Sequence, residues 1–239
     1  MNIRIISSLE KDIECLNNFL QESKSKHGDK EIFSWAIAPH KELVATPHLT
    51  KRIISAYVHS FYNNHEEKIA MHRSSIENTW RKKELKFFKL TEELFGDSYW
   101  PKGLYIGYLT IWGVYPRYLE NKIFFVPWNH ARKGYAYSVI AHELLHFKFY
   151  DFFSKKFPEY KNLTSNTFVW HVSEIFNAVI QLSLPWLRVF PAKPMLYPVH
   201  SRLVRKCLIW WKALSKKDKN VYILIEKIIK ELRNSKLTS

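Results

Sequence analysis

Cysteine and glycine are scarce in this chain, and long apolar runs are missing. Two cysteines among 239 residues are too few for a disulfide framework, so Cys15 and Cys207 are predicted to be core thiols. No apolar run reaches the roughly 18 residues that a membrane-spanning helix needs. The N-terminal residues lack the apolar stretch and cleavage site of a secretory signal. These absences predict a cytoplasmic protein without a membrane span.

Acidic residues are also in deficit. The chain carries 37 Lys+Arg against 22 Asp+Glu, which gives a formal net charge of +15. Such an excess suits an anionic partner such as nucleic acid. However, the basic residues are spread along the sequence, and no zinc-finger, P-loop or RNP pattern accompanies them. Nucleic acid is therefore the less favoured partner, and the deciding question is whether the cations converge on one face.

Apolar and aromatic residues are plentiful, at 46% and 16% of the chain, which suffices for one core. The pattern predicts an α+β protein, mostly helical, with residues 1–96 as a helical part and 97–239 as a second part of one continuous domain. Helices are predicted over residues 9–22, with Ser7 or Ser8 as N-cap, 47–71, 74–95, 201–214 and 218–232. Residues 28–39 are predicted to be a loop with one short strand or turn. Two aromatic, β-branched stretches, 104–115 and 122–127, predict an antiparallel pair of strands.

The most informative motif is the H-E-x-x-H sequence formed by His142, Glu143 and His146. It lies inside the apolar run 135–150, which is typical of a buried helix. Residues four apart share a helix face, so both imidazoles can bind one metal ion, and Glu143 is placed to take a proton from a water molecule at that ion. The alternative is a pair of core histidines bonded to backbone carbonyls. Zinc satisfies two buried imidazoles at once, which favours the metal.

A catalytic zinc site takes a third protein ligand and leaves one position open. Residues 166–181 predict a second buried helix with a narrow polar stripe. The stripe consists of His171, Glu174, Asn177 or Ala178, and Gln181. Glu174 is the favoured ligand because a carboxylate lowers the net charge of the site. His171, on the same face, is the competing ligand, and an ion pair with a lysine is the structural alternative for Glu174.

A glutamate on the helix after the motif helix resembles the arrangement in gluzincin metallopeptidases, the thermolysin-like class. The resemblance covers roughly residues 105–181. It implies a zincin-like fold with a small mixed or antiparallel sheet packed on the motif helix. It further implies Zn²⁺ held by His142, His146 and Glu174, Glu143 as general base and acid, and a peptide or protein substrate.

Two departures from related patterns are visible. The third histidine of metzincins is absent, because Phe152 stands at its position. Thermolysin-like proteins carry an aspartate four residues after the ligand glutamate, where this chain has Ala178. Asn177 or Ser173 is the candidate replacement for this hydrogen-bond partner.

Two further segments receive roles from the same resemblance. The proline-rich stretch 184–200 is predicted to be irregular and to line the site, with Tyr197 and His200 as candidates for stabilising an oxyanion. A packed tyrosine and a helix-start histidine are the alternatives. Residues 123–126 are the candidate edge strand for substrate, with an ordinary core strand as the alternative.

The function that these patterns predict is zinc-dependent hydrolysis of peptide bonds. Two other classes stay open. One is a zinc-binding protein that is inactive or latent as a peptidase. The other is a basic module that binds nucleic acid or protein, in which the motif is incidental.

Overall fold

The computed structural model describes residues 2–25, 30–97, 99–214 and 220–235. Helices make up 65% of the described residues, and the described strands form a small mixed sheet, so the α+β class is confirmed. The chain divides into two compact units. Unit 1 comprises Met1–Thr79 and Gly103–Ala131, and unit 2 comprises Trp80–Lys102 and Arg132–Ser239.

Unit 1 contains the sheet. Its elements, in chain order, are β1 (Asn2–Ser7), α1 (Leu9–Lys24), α2 (Lys30–Ile37), α3 (Lys41–Val44), the first part of α4 (Lys51–Phe95), β2 (Leu104–Thr110), β3 (Arg117–Tyr118) and β4 (Ile123–Pro127). The predicted cap of α1 is confirmed, since the Ser8 hydroxyl accepts a hydrogen bond from Lys11 N. β1 was not predicted.

The strand order is β1-β2-β4-β3. β2 pairs in parallel with both β1 and β4, and β3 pairs antiparallel with β4. The predicted antiparallel pairing of 104–115 with 122–127 is therefore wrong. The turn at Glu120 and Asn121 joins β4 to the two-residue β3, which is too short to recognise from its pattern. The prediction that residues 123–126 form an edge strand is also wrong, because β4 lies between β2 and β3; the alternative, an ordinary core strand, is confirmed.

The centre of the sheet depends on a close approach at Gly107. This residue is in register with Ile5 of β1 and with Phe124 of β4. A Cβ atom at this position would lie 2.8 Å from side-chain atoms of both neighbours. A glycine in mid-strand therefore lets the two apolar side chains close over it.

A buried carboxylate ties α1 to the end of β2 and to α4. Asp12 is fully buried, and its side chain accepts hydrogen bonds from Thr110 Oγ1 at 2.5 Å, Tyr62 OH at 2.7 Å and Ile111 N at 3.3 Å. Its backbone carbonyl accepts a fourth, from Trp112 Nε1. Because three donors converge on one carboxyl group, this residue joins three elements of unit 1.

Two helix predictions in the first hundred residues are wrong. The two helices predicted at 47–71 and 74–95 are one continuous helix, α4. The Ser74 hydroxyl does not cap a new helix, because it donates to Ala70 O one turn earlier. In the predicted loop 28–39, α2 forms at Lys30–Ile37, and residues 28 and 29 lie outside the described part of the chain.

Unit 2 is helical. It contains the rest of α4, α5 (Tyr135–Lys156), α6 (Thr167–Gln181), α7 (Leu184–Val189), a short 3-10 helix (Pro198–His200), α8 (Ser201–Ala213) and α9 (Val221–Arg233). Its core is aromatic: the rings of Phe149 and Phe176, on α5 and α6, lie 5.1 Å apart. The stretch predicted to be irregular thus contains α7. The predicted helix start at Asp218 lies outside the described residues.

Cys15 and Cys207 are both buried and free, as predicted. Among the described residues, no helix is long and apolar enough to cross a membrane.

Candidate metal centre

The motif lies in the middle of α5, which is confirmed as a buried helix. His146 is fully buried and Glu143 is 4% exposed, while the His142 side chain retains 18% of its surface. The charge of Lys148, on the same helix, is also satisfied internally, because its ammonium group donates to the Asp97 carboxylate and to a backbone carbonyl. The polar side chains Glu143, His146 and Lys148 of α5 are thus buried, and the imidazole of His142 remains partly accessible.

Glu174 comes from α6. This helix begins at the cap formed by Asn166, whose side-chain oxygen accepts from Val169 N at 3.1 Å. Two turns later, α6 turns a face of small and polar residues towards α5. Glu174 is 6% exposed there, so the carboxyl group is held in a largely dry environment.

The three predicted ligands converge. The Nε2 atoms of His142 and His146 lie 3.0 Å apart. One carboxylate oxygen of Glu174 lies 3.5 Å from His142 Nε2, and the other lies 3.4 Å from His146 Nε2. Among the residues that the structure describes, these three form the one group of His, Cys, Asp or Glu with the geometry to hold a metal ion.

The separations fit a zinc ion. Ligand atoms bound at about 2.0–2.1 Å in a tetrahedron lie about 3.3–3.4 Å from one another. The observed values of 3.0, 3.4 and 3.5 Å bracket that spacing. Two imidazoles and one carboxylate are also a donor set that catalytic zinc uses, and it leaves one tetrahedral position open.

Gln181, on the last turn of α6, orients His142. Its amide nitrogen donates to Ser138 O at 3.1 Å, which turns its carbonyl oxygen towards His142 Nδ1 at 2.8 Å. A carbonyl oxygen only accepts, so Nδ1 carries the hydrogen. The neutral ring therefore presents the lone pair of Nε2 to the cluster, which is the tautomer a metal ligand needs.

The predicted replacements for the missing aspartate act differently. Asn177 Nδ2 donates to the backbone carbonyl of His142 at 3.0 Å, so it holds the helix rather than the ring. Ser173 donates to Trp170 O. Sequence reasoning placed Gln181 on the polar stripe but gave it no role. The available signal was its position seven residues after Glu174, on the same face of α6.

The local charges favour a cation at this place. Burial lowers the pKa of His142, but the hydrogen bond to Glu174 and the charges of Glu143 and Glu174 raise it by more, so the net pKa lies above its ordinary value. Glu143 contributes through its Oε1 atom, 4.0 Å from His142 Nε2. Two carboxylates beside two imidazoles stabilise positive charge, whether a proton or a metal ion carries it.

A small pocket, with free space for about one water molecule, opens beside the cluster. Its lining residues are His142, Glu174, Ala178, Met195, Leu196, Tyr197, His200 and Val204. The predicted oxyanion candidates Tyr197 and His200 therefore share a pocket with two of the predicted ligands. Lys and Arg are absent from this lining, and four of its eight side chains are apolar. Ala178 lies on the predicted polar stripe of α6, whereas Val204 was not predicted to line the site.

His171, the competing ligand, is engaged elsewhere. Its Nδ1 atom lies 2.7 Å from His200 Nε2, and the two rings are perpendicular. Burial lowers the pKa of His171, and burial together with His171 lowers the pKa of His200 to about 4. Both rings are thus neutral near pH 7, and one hydrogen bond joins His171 Nδ1 to His200 Nε2. His171 consequently orients His200 in the pocket wall.

Comparisons with models of protein families, with curated proteins and with solved structures found no match to this chain. The site is therefore interpreted from its own residues.

Proposed function

We propose that this protein is a zinc-dependent metallopeptidase. The observation that supports the proposal most is the convergence of His142, His146 and Glu174, from two helices, at the spacing of zinc ligands. In the same proposal, α5 and α6 form the ligand-bearing pair of a zincin-like fold.

Zinc bound by these three residues would polarise a substrate carbonyl and lower the pKa of water towards 7. Glu143, within 4.0 Å of a ligand imidazole, accepts the proton of the attacking water. It then donates that proton to the leaving amine, so that one carboxyl group serves both halves of the reaction.

The pocket wall supplies the remaining roles. His200 and Tyr197 are the candidate donors to the oxyanion of the tetrahedral intermediate. His200 is neutral near pH 7, since its pKa is lowered to about 4, so a ring N–H would serve as donor. Gln181 maintains the tautomer of His142 through its hydrogen bond to Nδ1.

The direct test is hydrolysis of a peptide library by pure protein loaded with zinc, followed by mass spectrometry, with chelator-treated protein as the control. We expect cleavages that appear with zinc and vanish with chelator. Stoichiometric zinc without any cleavage would contradict peptidase function and favour the inactive or latent zinc-binding class.

A further inference from the structure

The positive charge of this protein is concentrated in the unit that carries the candidate site. Unit 2 contains 25 Lys+Arg and 11 Asp+Glu, a net charge of +14, whereas unit 1 contains 12 and 11, a net charge of +1. This segregation is not visible along the linear sequence, because unit 1 is formed by two separate stretches of the chain. The excess of positive charge therefore lies almost entirely in unit 2, which carries the candidate site.

Acidic residues are absent from the segment that forms the outer wall of the pocket. Between Glu174 and Asp218 the chain has no Asp or Glu, and it has eight Lys or Arg. This segment supplies the pocket residues from Met195 to Val204. The net positive charge of this segment favours the approach of an anionic group, while Glu174 is the carboxylate within the pocket lining.

The exposed face of α8 carries four of these eight cations. Its exposed charged and large apolar residues are Arg202, Arg205, Lys206, Ile209 and Lys212. Only Lys206 has a carboxylate partner, Glu231 at 2.6 Å; within the described part of the chain, Arg202, Arg205 and Lys212 have none. These three unpaired cations surround Ile209, which is 65% exposed. Such a surface suits an anionic partner that also has apolar groups.

The distance from this face to the pocket is short. Val204, on the opposite side of the same helix, lines the pocket. A helix with its side chains is about 10 Å across, which is close to the Debye length of about 8 Å at physiological ionic strength. An extended chain rises about 3.3 Å per residue, so residues three or four positions from the one at the mouth of the pocket can reach the basic face.

We propose that the substrates of this site are acidic polypeptides, with a neutral segment lying across the mouth of the pocket and flanking carboxylates on the exposed face of α8. This inference rests on the proposed function. The pocket favours a polypeptide over a nucleic acid, because its lining contains no Lys or Arg to pair with phosphate and offers apolar side chains instead.

The test uses the full-length Glu143→Gln protein, so that the probes are not cleaved. Fluorescent peptides share a Leu-Ala centre, flanked by glutamates in one and by glutamines in the other, and binding is measured by anisotropy at low and at physiological ionic strength. We expect the acidic peptide to bind at least about tenfold more tightly at low ionic strength, with a smaller difference as salt rises. Equal affinities would overturn the proposal.

Charge-reversal variants locate the effect. The triple change Arg202→Glu, Arg205→Glu and Lys212→Glu should weaken acidic-peptide binding about tenfold or more, and the corresponding glutamine variant should give an intermediate loss, which guards against misfolding. The matched control reverses three exposed cations of unit 1: Lys41, Lys51 and Arg52. An equal loss in the control would contradict a role for α8.

Two other results separate the possibilities further. If a single-stranded oligonucleotide of equal charge displaces the acidic peptide, the surface binds nucleic acid and the proposal is wrong. If the acidic peptide binds as expected but the wild-type protein hydrolyses no peptide, the proposed function fails while the basic surface remains.

Discussion

Glu143→Gln is expected to reduce kcat/KM for peptide hydrolysis by about 10²- to 10⁴-fold, the usual contribution of a general base and acid. Glutamine has nearly the same size but cannot accept the proton of the attacking water. The loss should appear in kcat, because the groups that bind substrate are unchanged. Steady-state kinetics on the best library substrate, with zinc content measured in parallel, would check this result.

The metal content decides how the loss is interpreted. Glu143 is not among the three converging ligands, so the variant should still bind zinc. Glu159→Gln is the matched control, since Glu159 is an exposed residue of the same unit and its replacement should leave the kinetics unchanged. A Glu143→Gln protein with zinc bound and activity within tenfold of wild type would show that the general-base assignment is wrong.

Asp12→Ala is expected to destabilise unit 1 by about 3–5 kcal/mol, since several buried donors lose their acceptor at once. Removal of the carboxyl group leaves the hydroxyls of Thr110 and Tyr62 and the amide of Ile111 without their acceptor. Each buried donor that loses its partner costs about 1–3 kcal/mol. Urea unfolding followed by circular dichroism would measure the change.

The control for Asp12 lies on the same helix. Glu14→Ala breaks an exposed ion pair with Lys11 at 2.6 Å, for which a change of about 0.5 kcal/mol or less is expected. Similar losses in the two variants would contradict the view that Asp12 joins α1 to β2 and α4.

The same residue gives a pH signature. Burial raises the pKa of Asp12 to about 7, although hydrogen bonds from its neighbours oppose the shift. Because the folded pKa lies above the unfolded value of 3.8, the native state binds the proton more tightly. The stability that Asp12 contributes through this tighter proton binding is complete below about pH 4 and is lost as the pH rises to about 7. In Asp12→Asn this fall should disappear, so the stability difference between wild type and variant should shrink over that range.

Local signals in the sequence predicted much of the helical structure. Ser8 and the apolar spacing after it predicted α1, and the buried pattern around His142 predicted α5. Helical spacing also placed His142 and His146 on one face of α5 and Glu174 on the polar stripe of α6, which made the three a candidate ligand set; the structure brings them together.

Contacts between elements that are distant in the sequence could not be predicted from local patterns. β3 lies between β2 and β4 in the sequence and pairs antiparallel with β4, which leaves β4 parallel to β2. Because β3 has only two residues, it forms no recognisable pattern in the sequence. The position of Gln181 on the polar stripe was visible, but its hydrogen bond with His142 depends on how α5 and α6 pack, which the pattern does not specify. The concentration of charge in unit 2 depends on which distant stretches pack together.

The central claim is a zinc site made by His142, His146 and Glu174. The most direct measurement is zinc titration of the metal-free protein, with stoichiometry from elemental mass spectrometry, for wild type, Glu174→Ala and Gln181→Leu. We predict about one zinc per wild-type chain, loss of tight binding in Glu174→Ala, and an affinity about 10- to 100-fold lower in Gln181→Leu, because the His142 tautomer is no longer held. No zinc bound by the wild type, or unchanged affinity in Glu174→Ala, would contradict the account.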